Sequence, residues 1–141
     1  MKQVYPTFIA QNDDAFLVYV PDMDIYTEGS SFVDAIEMAR DAIGLKGIDF
    51  EDDGKELPVP STQETALQKA KSNSDIFDYS TGVLTFIDVD FSEYRKKVDM
   101  KTVRRTVALP SWLDYEAGKA GINVSRVLQE ALMQVLNVSR N

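Results

Sequence analysis

The sequence predicts an α+β chain, with an antiparallel sheet carrying a packed helix in residues 1–98 and a strand followed by two helices in residues 99–141. Three observations lead there. Segments of period two fill much of the first thirty residues, the pattern of strands with alternating faces, and a short apolar run follows at 83–89. From Phe32 the apolar positions Phe32, Ile36, Ala39 and Ile43 switch to spacings of four, three and four, the period of a helix. Residues 1–99 carry 9 Lys/Arg and 20 Asp/Glu, a net −11, whereas residues 100–141 carry 6 and 3, a net +3. An acidic body joined to a basic tail implies two modules with different partners.

Tyr5–Ala10 reads as a strand, Gln11–Asp14 as a turn stabilised by Asn and Asp side chains, and Ala15–Val20 as the second arm of a hairpin. Pro21–Asp24 ends that arm, and Ile25–Gly29 is a short third strand. Ser30-Ser31 supplies an N-cap for the helix from Phe32, and Gly44 and Gly47 mark its expected end. Asp49–Ser61 is an acidic, Pro-containing loop, and Thr62–Lys71 a short helix capped by Ser61 or Thr62. Val83–Val89 is a fourth strand whose apolar run suits the interior of a sheet. The polar run Arg95–Met100 is the natural seam, giving modules 1–98 and 99–141. Beyond it, Thr102–Leu109 alternates, Pro110 allows a helix start, Ser111–Ala120 forms one helix and Gly121 stops it. Asn123 then caps a second helix bearing Val124, Val127, Leu128, Ala131, Leu132, Val135 and Leu136.

Composition excludes much chemistry. The 141 residues hold no cysteine and no histidine, with a net charge of −8, which removes Ser-His-Asp and Cys-His catalysis, Cys or His zinc sites, iron–sulfur clusters and disulfides. The 44% hydrophobic content suffices for a core. No window has the length of a membrane span, and Met1–Ala10 lacks the features of a signal peptide, so a soluble cytoplasmic protein is expected.

The tail demands a partner. One strand and two helices cannot bury this much apolar surface or pair the strand's backbone groups, so a homodimer is expected. Two copies pairing their strands make a two-stranded ribbon that fits a DNA major groove. Val103, Val107, Leu109, Val127, Leu128 and Leu132 would form the dimer core. Thr102, Arg104 and Thr106, on the opposite face of the strand, would meet base edges, since Arg can bond guanine bidentately and Thr can offer a hydroxyl or touch a thymine methyl. The start of the second helix, Asn123, Val124, Ser125 and Arg126, presents free amides and a cation to phosphate. A helix-turn-helix over 111–136 is disfavoured because its reading helix would be too apolar. Trp112 is expected to be a packing anchor rather than a stacking platform for bases.

The run Val103–Leu113, followed by Gly121–Ser125 and Val127–Leu132, resembles the ribbon-helix-helix domain that ends many HicB antitoxins. The front agrees in order of features: Tyr5-Pro6, Phe16–Val18, Val20–Asp22, Thr27–Gly29, the helix with Ala35 and Ala39, and Leu57–Ser61. The resemblance covers nearly the whole chain. It implies a partial RNase H-like front without catalytic role or cofactor, which neutralises HicA, a toxin ribonuclease that cleaves mRNA. It also implies a dimeric tail that represses the operon by binding double-stranded operator DNA, with higher assembly through the front. The −11 front suits a basic, RNA-binding partner. Arg105 falls on a face the family usually fills with an apolar residue, which fits either a bulge or a side chain that snorkels from the ribbon edge.

Two other functions stay open. The Asp22/Asp24 and Asp88/Asp90 pairs could hold metals for nuclease chemistry, although capping a turn and lining a solvated strand end are the simpler roles. Glu51–Gly54 lacks the ligand spacing of a calcium loop. A transcription factor with a ligand-sensing front is the third reading.

Overall fold

Six consecutive residues of the first strand, Tyr5–Ala10, are all buried, so this strand needs cover on both faces and a neighbour on each edge. The computed structural model, which describes residues 1–99 and 102–138, supplies both. Strands β1 (Lys2–Asn12), β2 (Ala15–Val20), β3 (Ile25–Gly29) and β4 (Val83–Asp90) form one antiparallel sheet in the order β3-β2-β1-β4. Asn12 pairs with Ala15, which shortens the expected four-residue turn to Asp13-Asp14. Asp13 has φ 55°, in the left-handed region that two-residue hairpins require. β4 is an edge strand rather than the interior one expected, and β1 takes the interior place. The apolar run of β4 misleads because only Ile87 and Val89 are buried, while Val83 and Phe86 remain exposed.

Helix α1 (Phe32–Asp52) lays Ala35, Ala39 and Ile43 on the face formed by Tyr5, Ile9, Val18, Val20, Ile87 and Val89. It starts at its expected cap, where Ser31 Oγ accepts from the Asp34 amide at 3.0 Å. It does not end at Gly44 or Gly47. Both glycines are buried, and a Cβ on them would lie 2.6 Å from the Tyr94 ring and 2.1 Å from the Phe91 ring. They are close-approach positions for helix α3 (Phe91–Val98), which runs into the stretch expected to be a polar seam. Residues 49–52, expected in a loop, are therefore helical. Asp90 caps α3 by accepting from the Ser92 and Glu93 amides at 3.1 and 3.2 Å, so Arg95–Lys97 belong to a helix and not to a linker.

Helix α2 (Gln63–Ser72) begins where Thr62 Oγ1 accepts from the Thr65 amide at 3.2 Å. Its Ala66 and Ala70 pack on Phe8 and Tyr19. Because side chains alternate along a strand, Phe8 and Tyr19 face away from Tyr5, Ile9, Val18 and Val20. The sheet thus lies between α1 and α3 on one face and α2 on the other, which explains the unbroken burial of β1.

The chain divides into two compact units, Met1–Met100 and Lys101–Asn141. The second holds α4 (Ser111–Lys119) and α5 (Val124–Leu136). Gly121, at φ +70°, reverses the chain after α4, with the Ile122 and Gly121 amides returning to Ala117 O at 3.0 Å and Gly118 O at 3.1 Å, a Schellman ending. The strand expected over Thr102–Leu109 has no ladder here. A strand exists by pairing, and among the described residues no segment of the same chain pairs with it.

Candidate functional site

In the second unit the expected groove residues Thr102, Arg104 and Thr106, with Arg105, are all exposed. The residues expected to form a dimer core are exposed as well: Val103 at 82%, Val107 at 48% and Leu132 at 51%, with Leu109, Val127 and Leu128 also open to solvent. Neither α4 nor α5 buries a single residue. Along the apolar stripe of α5, Val124, Val127, Leu128, Leu132, Val135 and Leu136 keep between 37% and 81% of their surface open. At the start of α5, Asn123 Oδ1 accepts from the Arg126 amide at 3.1 Å, as a cap should. The Arg126 guanidinium is not free, since its Nε donates to Glu130 Oε1 at 3.1 Å. The four-residue spacing of Arg126 and Glu130 is the sequence signal for that pair.

In the first unit the carboxylates considered as metal ligands already serve the fold. Asp22, its side chain 2% exposed, accepts from Lys69 Nζ at 3.0 Å, from the Ser61 amide at 2.8 Å and from Ser61 Oγ. Burial would push its carboxyl up, but these hydrogen bonds and the Lys69 charge outweigh that and hold it below the usual carboxylate range. The network fastens the 57–61 loop and α2 to the end of β2. Nearby, Tyr5 Oη donates to Pro58 O at 2.7 Å. Burial first, and the Asp22 charge second, push its phenol up to about 12. Asp88 meets Arg40 at 3.2 Å and Lys2 at 3.5 Å, and the Arg40 hydrogen bond holds its carboxyl low. Asp90 is the α3 cap, and Arg95 clips α3 to α1 through Glu51 at 3.2 Å and Asp52 at 2.9 Å. Among the described residues no group of three or more Asp or Glu is placed to hold a metal.

An aromatic group near the β3 edge is absent from the candidates that the sequence offers. Tyr26 stacks on Tyr19, which it faces across the ladder, with ring centroids 4.9 Å apart and planes 19° apart. Tyr79 lies 5.2 Å from Tyr19, and Phe77 stands edge-on to Tyr79 at 5.1 Å. Alternation in β2 and β3 carried the Tyr19–Tyr26 signal, but Phe77 and Tyr79 sit outside any periodic segment. Desolvation, then Tyr19 and Asp24, push the Tyr26 phenol up to about 12.

A family model described as the HicB-like antitoxin of bacterial toxin–antitoxin systems matches residues 5–131, a span that includes parts of both units. The chain belongs to that family. Among solved structures it is similar to a chain of a toxin–antitoxin complex from Streptococcus pneumoniae, at 25% identity and a TM-score of 0.59, over 95% of this chain and 99% of that one. It is also similar in fold to the antitoxin HicB of Burkholderia pseudomallei, at 23% identity and a TM-score of 0.51, over 96% of this chain and 97% of that one. No curated protein matches it. Among the described residues no helix is long and apolar enough to cross a membrane.

Proposed function

We propose that this chain is the antitoxin of a toxin–antitoxin pair: its acidic first unit, a partial RNase H-like module, binds and occludes a HicA-type mRNA ribonuclease, and its basic second unit dimerises as a ribbon-helix-helix and represses the operon. The observation that carries the reading is the family match from residue 5 to residue 131, which spans an acidic unit and a basic one. The likeness to a chain of a toxin–antitoxin complex over 95% of this chain supports the toxin partner. A ribonuclease must attract a polyanion and so carries cations, which the −11 unit complements.

The open apolar stripe of α5 supports the dimer. Pairing two 102–109 segments antiparallel would satisfy their backbone groups and bring Val103, Val107 and Leu109 over α5. Thr102, Arg104 and Thr106 would then face the groove, with Arg126 exchanging Glu130 for a phosphate. The carboxylates Asp22, Asp88 and Asp90, each engaged by a cation or an amide, leave the nuclease alternative without a metal cluster among the described residues.

Co-expression with the neighbouring gene product tests the reading. The two proteins should co-purify, the complex should lack ribonuclease activity, and the full chain should shift DNA from its own promoter. Arg104→Ala should weaken specific binding by about 1–3 kcal/mol, the worth of a bidentate base contact, while sparing nonspecific binding. A chain that neither co-purifies with a toxin nor shifts that DNA would overturn it.

A further inference from the structure

The first unit exposes an aromatic surface whose inner rings, Tyr19 and Tyr79, belong to the core, while Tyr26 and Ile76 lie open on it. Tyr26 is 53% exposed yet held face-on against Tyr19, while Tyr79 sits 6.0 Å from it and Phe77 packs on Tyr79. Tyr19 is itself anchored, its hydroxyl accepting from Asn73 Nδ2 at 3.0 Å. Beside Phe77 in the chain, Ile76 is completely exposed, at 101%. Stacked tyrosines have little side-chain freedom left to lose on binding, which is why such residues anchor protein interfaces. An isoleucine without any internal contact adds nothing to folding but can fill a partner's pocket.

The segments that carry the patch have one sign of charge. Every charged residue in the segments that carry these side chains, 24–28 and 73–80, is acidic, and Asp24, Glu28, Asp75 and Asp78 are all exposed. DNA is repelled by such a rim, and a second copy docking rim to rim would set carboxylate against carboxylate. A partner with cationic side chains around an apolar centre fits, because guanidinium groups both stack on tyrosine and pair with carboxylates.

We propose that this patch, centred on Tyr26 and Ile76 and rimmed by Asp24, Asp75 and Asp78, is the surface on which the basic toxin docks. This rests on the antitoxin reading above and names its contact surface. The aromatic centre holds the complex together, and the acidic rim steers the approach.

The test uses the full-length chain and the toxin recovered by co-expression, with association and dissociation rates measured directly. Ile76→Arg and Tyr26→Ala should each weaken the complex by about tenfold or more, mainly through faster dissociation. Asp75→Lys should slow association and flatten its dependence on salt. Phe86→Ala, an exposed aromatic on the β4 edge, should leave toxin binding unchanged. Ile76→Arg keeps the test decisive if Tyr26→Ala unfolds, since a fully exposed side chain has no packing to lose. Toxin binding that is unaltered in folded Ile76→Arg, or weakened by Phe86→Ala instead, overturns the proposal alone. So does a change in oligomeric mass of Ile76→Arg with toxin affinity intact, which would assign the patch to a second copy. A wild-type chain that binds no toxin overturns both the antitoxin reading and this surface.

Discussion

On the proposed reading, in which the second unit dimerises and binds operator DNA, Leu132→Glu should abolish both activities together. Leu132 lies on the apolar stripe of α5 and is 51% exposed in one chain, so dimerisation has about half of its burial still to gain. Complete burial of a leucine contributes about 1.5–3 kcal/mol; half of that, counted on both chains, gives about 2 kcal/mol per dimer from this position. The six proposed core positions, 37% to 82% exposed, would together contribute on the order of 10 kcal/mol. Association itself costs about 4–15 kcal/mol in lost freedom, which leaves a thin margin. Leu132→Ala should therefore raise the dimer dissociation constant by about 30-fold, the equivalent of that 2 kcal/mol. Leu132→Glu would add the cost of an unpaired buried carboxylate and leave no measurable dimer. Sedimentation equilibrium across a concentration series reads the first effect, and light scattering with a promoter mobility shift reads the second. A Leu132→Glu protein that keeps the wild-type mass and DNA affinity would show that the chains do not meet across α5.

Asp22→Ala should destabilise the first unit by about 2–4 kcal/mol in urea unfolding, because the Ser61 amide and hydroxyl lose their acceptor while half-exposed Lys69 returns to water. Since the folded carboxyl titrates below its ordinary value, this stabilisation is present above the ordinary carboxylate range and is lost as pH falls through the lowered one; the variant should lose that part of the acid sensitivity. Gly47→Ala should destabilise despite alanine's better helix propensity, since overpacking against Phe91 costs about 1–3 kcal/mol against a gain of about 1. Gly118→Ala in α4, with nothing within 4 Å of a new Cβ, should carry no such packing penalty, and thermal melts compare the two signs. At high pH, Tyr5 and Tyr94, both pushed up to about 12 by burial and then by the neighbouring Asp22 and Asp41, should stay neutral past the ordinary tyrosine range. Their stabilisation is complete below that range and is lost as pH approaches 12, so tyrosinate absorbance should rise together with unfolding. Early ionisation of the full set of tyrosines in a folded chain would contradict the burial argument.

Local chemistry sufficed for the element starts: Ser31, Thr62 and Asn123 cap their helices because each offers an oxygen to an amide three residues on. It also sufficed for the alternation of β1 to β3 and for the separation of an acidic body from a basic tail, since period and charge are properties of the chain alone. What it could not reach depends on distant residues. Gly44 and Gly47 look like helix stops until Tyr94 and Phe91, almost fifty residues away, are seen lying against them. Val83–Asp90 reads as an interior strand, yet the order β3-β2-β1-β4 leaves it at the edge. Asp22 resembles a candidate ligand until Ser61 and Lys69 close on it, and the tyrosines of β2 and β3 become one patch only when the turn before β4 brings Tyr79 and Phe77 to them. Periodicity records which side of an element is apolar; only the folded backbone decides what that side meets, because contacts between residues far apart in the chain leave no spacing to read.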